Sequence, residues 1–163
     1  MELPVINHPD YVAKINDDNK FPIRKFGALA KHLLENNVVK KFHIPKECSF
    51  ETLKTSHSTE YINHIKNKTL DIKAQKKIGF PINDSVVKRS FVATGGTVLA
   101  SKLALDSKLA CNTAGGSHHA TFDRGAGYCV FNDVAVAANY LRNKGYAKKI
   151  LILDLDVHQG NGN

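Results

Sequence analysis

Residues 132–154 read NDVAVAANYLRNKGYAKKILILD, and this stretch decides the fold. Asn132 or Asp133 can cap a helix over about 132–144. Val134, Ala135, Ala138 and Leu141 line one face of it, and Gly145 ends it. The run Lys149-Ile-Leu-Ile-Leu-Asp154 then reads as a strand. Upstream, Leu109-Ala-Cys-Asn-Thr113 reads as a second, buried strand, followed by a glycine-rich loop from Ala114 to Phe131. Strand, helix, strand at this length is a βαβ crossover. It implies a parallel sheet with flanking helices and an α/β architecture.

The rest of the chain supports this layout. Leu3-Pro-Val-Ile6 and residues 38–44 are short strand candidates. Ile23, Phe26, Ala30, Leu33 and Leu34 recur at helical spacing, with Asn36-Asn37 as a stop. Ser58 can cap a helix carrying Tyr61, Ile62 and Ile65. The strongest helix spans about 84–107, capped by Asp84 or Ser85, with Val87, Phe91, Val98 and Leu105 as its apolar stripe. Gly95-Gly96 lies inside it. Two glycines weaken a helix, so their expected use is close packing against a neighbouring element.

Length and composition bound the function classes. A chain of 163 residues suits one domain with a sizeable core. Hydrophobic content of 42% and charged content of 23% are those of an ordinary globular protein. No apolar run is long enough for a transmembrane helix, and the N-terminus does not read as a secretory signal. The three cysteines, Cys48, Cys111 and Cys129, form no Cys-x-x-Cys pair. They argue against a disulfide framework or zinc finger and fit a reducing, cytoplasmic setting. The net charge of +8 invites a nucleic-acid reading, but its distribution weakens it: residues 1–90 hold 16 Lys+Arg against 10 Asp+Glu, and residues 91–163 hold 7 against 5. The excess lies in scattered doublets and no nucleic-acid motif accompanies it, so a basic solvated surface is the expectation.

Ligand sites in open α/β sheets lie beyond the carboxyl ends of the strands. Two polar clusters sit there. Asp154, Asp156 and His158 alternate, so on extended backbone all three face one way, with Leu155 and Val157 the other. Two carboxylates on one face of a buried strand need an offsetting charge, and Asp oxygen with His nitrogen is ordinary chemistry for a divalent metal ion. The second cluster is Gly115-Gly116-Ser117-His118-His119-Ala120. In a glycine-rich loop both histidines can face a cleft as an acid/base pair held by different partners. If the two strands are neighbours, the clusters converge. On spacing alone the bland readings stay open: a strand that simply ends at Asp154, and two surface histidines. A third element, Gly125 to Asp133, offers Tyr128 and Phe131 as walls of an apolar channel, or simply core aromatics before a helix cap. Cys129 has no basic partner and is not expected to be a nucleophile.

In this order, Gly115-Gly-Ser-His-His-Ala120, Gly127-Tyr-Cys-Val-Phe-Asn-Asp133 and Asp154-Leu-Asp-Val-His-Gln-Gly-Asn-Gly162 resemble the histone deacetylase superfamily of the arginase/deacetylase fold. The similarity runs the whole chain, including His8-Pro-Asp-Tyr11, Lys20-Phe-Pro22, His57-Ser-Thr-Glu-Tyr61 and Ile78-Gly-Phe-Pro81. Gln159 resembles the class IV, deacetylase-11-like branch and its bacterial relatives. The resemblance implies a three-layer α/β/α fold, incomplete at the C-terminus, with residues 1–163 as the N-terminal part of a single catalytic domain. It implies Zn2+ as cofactor, with Asp156 and His158 as two of three ligands. His119 would be the general base toward the attacking water, and His118 its charge-stabilising partner. Asp154 would orient His118. Gly127 and Tyr128 would line the acyl-lysine channel. Asn161 stands where some members carry an aspartate that contacts the second histidine; an amide cannot supply that negative charge. The implied reaction is metal-assisted hydrolysis of acetyl-lysine or a related acylated amine, such as an acetylpolyamine.

By the same resemblance, the family's third zinc ligand and its carbonyl-polarising tyrosine fall beyond residue 163. Asp123 and Asp133 stay open as stand-ins for that ligand. The expectation is a zinc-dependent deacetylase-family chain that is inactive alone, completed by a complementary C-terminal half or self-associating through an uncovered sheet. The alternative is a non-catalytic remnant that serves as an interaction fragment.

Overall fold

A computed structural model describes residues 3–163. In chain order these form strand β1 (Val5–Ile6), a 3-10 turn (Pro9–Tyr11), helices α1 (Lys25–Glu35), α2 (Phe50–Leu53), α3 (Thr59–Asn67), α4 (Ile72–Ile78) and α5 (Asp84–Ser107), strand β2 (Cys111–Asn112) and helix α6 (Asp133–Asn143).

Local chemistry starts the helices. The Ser58 hydroxyl accepts the Tyr61 amide at 3.1 Å to open α3, and the Asn132 side chain accepts the Ala135 amide at 2.9 Å to open α6. Both caps follow the sequence. For α5 the cap is Asn83, which accepts the Val86 amide at 2.9 Å, and not Asp84 or Ser85. The Ser85 hydroxyl instead accepts the amide of Lys14 at 2.7 Å, so the two polar residues divide between cap and tertiary tie.

Helix α5 is the spine. Gly95 and Gly96 serve the close packing expected of them. A Cβ at Gly95 would lie 2.0 Å from the Lys46 carbonyl oxygen, and one at Gly96 would lie 2.1 Å from the Tyr11 hydroxyl. Any larger residue would push those segments off the helix. The buried core gathers Leu53, Ile62, Ile65, Ile78, Val86, Val92, Phe131 and Val136 from α2 through α6.

β1 and β2 pair in parallel, Val5 opposite Cys111 and Ile6 opposite Asn112. On its other side β1 meets His43 through a single parallel bridge to Ile6. The parallel sheet expected of an α/β fold is present, but its composition differs from the sequence reading. Of residues 38–44 only His43 joins it. Of 109–113 only Cys111–Asn112 forms a strand, and its outer side is open, with Leu109 and Cys111 exposed. Residues 149–154 are not a strand. Among the described residues, none from 147 to 158 makes a backbone-to-backbone hydrogen bond. Apolar composition favours pairing, but a ladder exists only where a neighbour offers its amides and carbonyls. Here no described segment pairs with it, the open side of β2 included, and the side chains Leu151, Leu153, Leu155 and Val157 are 90%, 75%, 86% and 93% exposed. Ile150 and Ile152 are less exposed, and residues 150–155 with Val134, Ala137 and Leu141 of α6 line a groove of about 370 Å³.

Candidate active site

β2 delivers the chain into the loop that carries both histidines, α6 starts where that loop ends, and residues 154–163 fold back onto it. The Gly162 amide donates to the His118 carbonyl at 2.7 Å, and the Asn163 side-chain amide donates to Asp154 at 3.3 Å. The two polar clusters therefore converge as expected, although no strand pairing joins them.

The two histidines are anchored differently. The His118 ring is buried and its Nδ1 lies 2.8 Å from Asp154 Oδ2. His119 is half-buried and its Nδ1 lies 2.8 Å from the amide oxygen of Asn161. The ring centroids are 4.2 Å apart, and His119 lies 6.1 Å from the ring of His158. Each Nδ1 faces an acceptor, which fixes Nδ1–H donation and leaves each Nε2 as the free ring nitrogen.

Asp156 and His158 form a unit. Asp156 Oδ1 accepts the His158 amide at 2.7 Å and lies 2.8 Å from His158 Nδ1. The same oxygen is 4.0 Å from His118 Nε2. Hydrogen bonding lowers both carboxyl pKa values: for Asp154 the His118 ring is the main cause, and for Asp156 the His158 amide. Both side chains are thus held as carboxylates. Among the described residues no three His, Cys, Asp or Glu side chains gather into a metal cluster.

Gly127 has φ +53°, and a Cβ there would fall 2.5 Å from His119 Cδ2, so the imidazole lies close against bare backbone. The amides of Gly127 and Tyr128 donate to the carbonyls of Lys77 and Ile78 at the end of α4. That tie turns the Tyr128 ring against Phe21 and Phe80, with centroids 5.0 and 5.3 Å away. His118, His119, Gly127, Tyr128, Asp156 and His158 all line one cleft of about 870 Å³. Phe131 does not. It is core, set against Tyr61, Phe91 and His57, so of the two proposed channel aromatics only Tyr128 reaches the cleft. Cys129 is buried, and burial raises its thiol pKa, in keeping with an unreactive side chain.

Sequence reasoning missed how the loop is held. Asp133 is fully buried. It accepts the Ser117 amide at 2.8 Å and the Gly116 amide at 3.2 Å, together with the Thr97 hydroxyl. Its neighbour Asn132 donates to the Ala120 carbonyl at 3.3 Å and to Asn163 at 3.0 Å. These adjacent residues grip the loop before and after the histidine pair. Asp133 is therefore a loop anchor and not a stand-in ligand, and exposed Asp123 lies outside the cleft lining. The legible signal was a run of glycine and serine amides needing an acceptor. Arg89 was also missed. Buried beside the Phe21, Phe26 and Phe80 rings and donating to the Tyr11 carbonyl at 3.0 Å, it lines the cleft, and burial lowers its pKa to about 10.

Residues 20–163 match the family model of the histone deacetylase domain. The chain belongs to the histone deacetylase domain family. It is similar to an uncharacterized protein of Picosynechococcus sp., with 44% identity over 99% of this chain and 55% of that protein. Histone deacetylase 2 of Arabidopsis thaliana is 31% identical over 87% of this chain and 39% of its own length. The acetoin utilization protein AcuC of Staphylococcus aureus (strain COL) is 29% identical over 91% of this chain and 41% of its own. Among solved structures, a histone deacetylase homologue from Aquifex aeolicus superposes with a TM-score of 0.83 at 30% identity, covering 99% of this chain and 46% of that one. A histone deacetylase homologue complexed with SAHA superposes with a TM-score of 0.84 at 29% identity, with the same coverage of 99% and 46%. The α/β fold of the deacetylase family is therefore the fold of this chain, which spans about half the length of the curated relatives it matches. No helix among the described residues is long and apolar enough to cross a membrane.

Proposed function

We propose that this chain carries the proton-transfer pair and two metal ligands of a zinc-dependent deacetylase that hydrolyses acetyl-lysine or a related acylated amine. The observation that supports this most is the pairing of His118 with Asp154 and of His119 with Asn161, beside Asp156 and His158 in one cleft. A carboxylate oxygen and an imidazole nitrogen side by side suit zinc in kind. In number they are one short of the three protein ligands usual for a catalytic ion, so a third must come from outside the described residues. When bound, zinc supplies polarisation of the acyl carbonyl and of the attacking water. His119, oriented through its Nδ1 by Asn161, takes a proton from that water at Nε2. His118, oriented by the Asp154 carboxylate, stabilises the positive charge that this places on His119 and takes part in passing the same proton on to the departing amine. Tyr128 and the bare backbone of Gly127 flank the acylated side chain. Three free cysteines favour a reducing, cytoplasmic setting.

The carbonyl-polarising tyrosine of the family is expected in the half that this chain does not span. The 163-residue chain alone is therefore expected to show no turnover of an acetyl-lysine peptide with zinc present. Adding the separately expressed downstream half of the Picosynechococcus relative should restore turnover, and His119→Ala should abolish it. A bound but inactive pair of halves would refute the catalytic reading. Calorimetry on the chain alone should show weak zinc binding that is lost in both Asp156→Ala and His158→Ala. A second reading, an interaction fragment without catalysis, is favoured by one observation: the exposed leucines of 151–155.

A further inference from the structure

His57 lies outside the cleft, at the junction of α2 and α3, and only 1% of it is exposed. Both of its ring nitrogens are engaged, one by the histidine loop and the other by the start of α6. Nδ1 lies 2.8 Å from the Thr121 carbonyl, two residues after His119, and Nε2 accepts the backbone amide of Asn132 at 2.9 Å. A carbonyl can only accept and an amide can only donate, so the ring is neutral with its proton on Nδ1. We propose that His57 is a positioning residue for the His118–His119 pair, locking the C-terminal arm of the histidine loop to the start of α6.

Several observations support this. Asn132 is the N-cap of α6, and a cap residue's own amide needs an acceptor. A glutamate or glutamine at the third helical position often provides one, but here that position is Ala135. His57 fills the role from another element, so the anchor of α6 and the histidine loop share one side chain. The next residue strengthens the grip, since the Ser58 amide donates to the Phe122 carbonyl at 2.8 Å. The Asn132 side chain, set by that amide, holds the Ala120 carbonyl, and Asp133 holds the Gly116 and Ser117 amides. The Tyr61 and Phe131 rings pack beside the imidazole, with centroids 5.9 and 5.3 Å away. Burial lowers its pKa, which keeps both bonds in place near neutral pH.

The functional meaning rests on His118 and His119 being the proton-transfer pair, but the geometry does not, so the test reads geometry on the 163-residue chain by NMR. In the unaltered chain His57 should show one tautomer with a slowly exchanging Nδ1–H; rapid exchange there overturns the proposal. Three variants then separate its two arms. His57→Leu removes both, and the Asn132 amide and the ring N–H protons of His118 and His119 should exchange about tenfold faster, the scale of one lost hydrogen bond. His57→Asn keeps a donor near the Nδ1 position and should protect the histidine protons but not the Asn132 amide. His57→Gln keeps an acceptor near Nε2 and should protect the Asn132 amide only. Equal exchange in all three variants, with only the melting temperature changed, means a space-filling role and overturns the proposal. If His57→Leu does not fold, the Asn and Gln pair decides, because identical behaviour of those two overturns it equally. Deacetylase turnover is not part of the readout, so failure of the catalytic reading would leave this result distinct.

Discussion

Two apolar stretches of this chain behave in opposite ways. Around Phe131 the aromatic and aliphatic side chains of α2 to α6 close into a core in which Leu53, Ile62 and Ile65 are wholly buried. From Leu151 to Val157 the leucines and the valine of a second run, which alternate with Ile152, Asp154 and Asp156, lie in water along its outer face. The apolar side chains are of the same kind in both. What differs is opportunity: the first stretch meets partners from five helices, whereas the second borders an open groove shared with α5, α6 and the histidine loop and finds no strand neighbour among the described residues. Hydrophobic pattern tells which residues gain from burial, and the contacts available decide which of them achieve it.

The largest effects should come from the buried region. Phe131→Ala removes the ring shared by Tyr61, Phe91 and His57 and should cost about 3–5 kcal/mol of stability in denaturant unfolding. If the loss is below about 1 kcal/mol, the core around this ring is loose and the contrast weakens. Next comes Asp133→Ala, which leaves the Gly116 and Ser117 amides without their acceptor and should cost roughly 2–3 kcal/mol. Its mark is local, with the loop amides of Gly116 and Ser117 losing exchange protection before those of α6.

A smaller effect depends on pH. His57 has its pKa lowered from the ordinary 6.5, by burial first, with its bond to the Thr121 carbonyl opposing. Above that pH the ring is neutral in both the folded and unfolded chain. Below it the unfolded chain binds a proton that the folded chain excludes, so stability falls as pH drops toward the folded pKa. The slope should reach at most about 1.4 kcal/mol per pH unit. The difference between the chain and His57→Gln, measured from pH 7.5 down, isolates this contribution; parallel curves would mean that the folded chain protonates His57 as readily as the unfolded one.

How much of this was legible follows the same division. Local signals could be read: the Ser58 and Asn132 caps, the span of α5, the packing use of Gly95-Gly96, and the convergence of the His-His and Asp-x-Asp-x-His segments. These depend on short-range chemistry or on the direction of the chain. What could not be read depends on who sits opposite. A run such as ILILD looks like a strand whether or not a neighbour pairs with it. The roles of Asp133 and His57 were hidden because an aspartate at a helix start and a histidine before a helix both have ordinary local explanations. Only three-dimensional proximity shows that their polar atoms face the loop of residues 115–122.

The smallest effect is the sharpest test of the comparison. Leu151→Ser and Leu153→Ser replace side chains that are already 90% and 75% exposed. A leucine in water loses almost nothing by becoming serine, so each should change stability by less than about 0.5 kcal/mol. Self-association at high concentration should fall at the same time, because a wet apolar strip with unpaired backbone groups invites contact. The same substitutions should behave differently once the downstream half of a relative is bound. Burying one leucine contributes about 1.5–3 kcal/mol, so each serine should then weaken association by roughly tenfold or more. A substitution that is silent in the chain alone and costly in the complex would show that this stretch was selected for burial against a partner. If it is costly in the chain alone, residues 149–157 already belong to the core, and the contrast between the two regions fails.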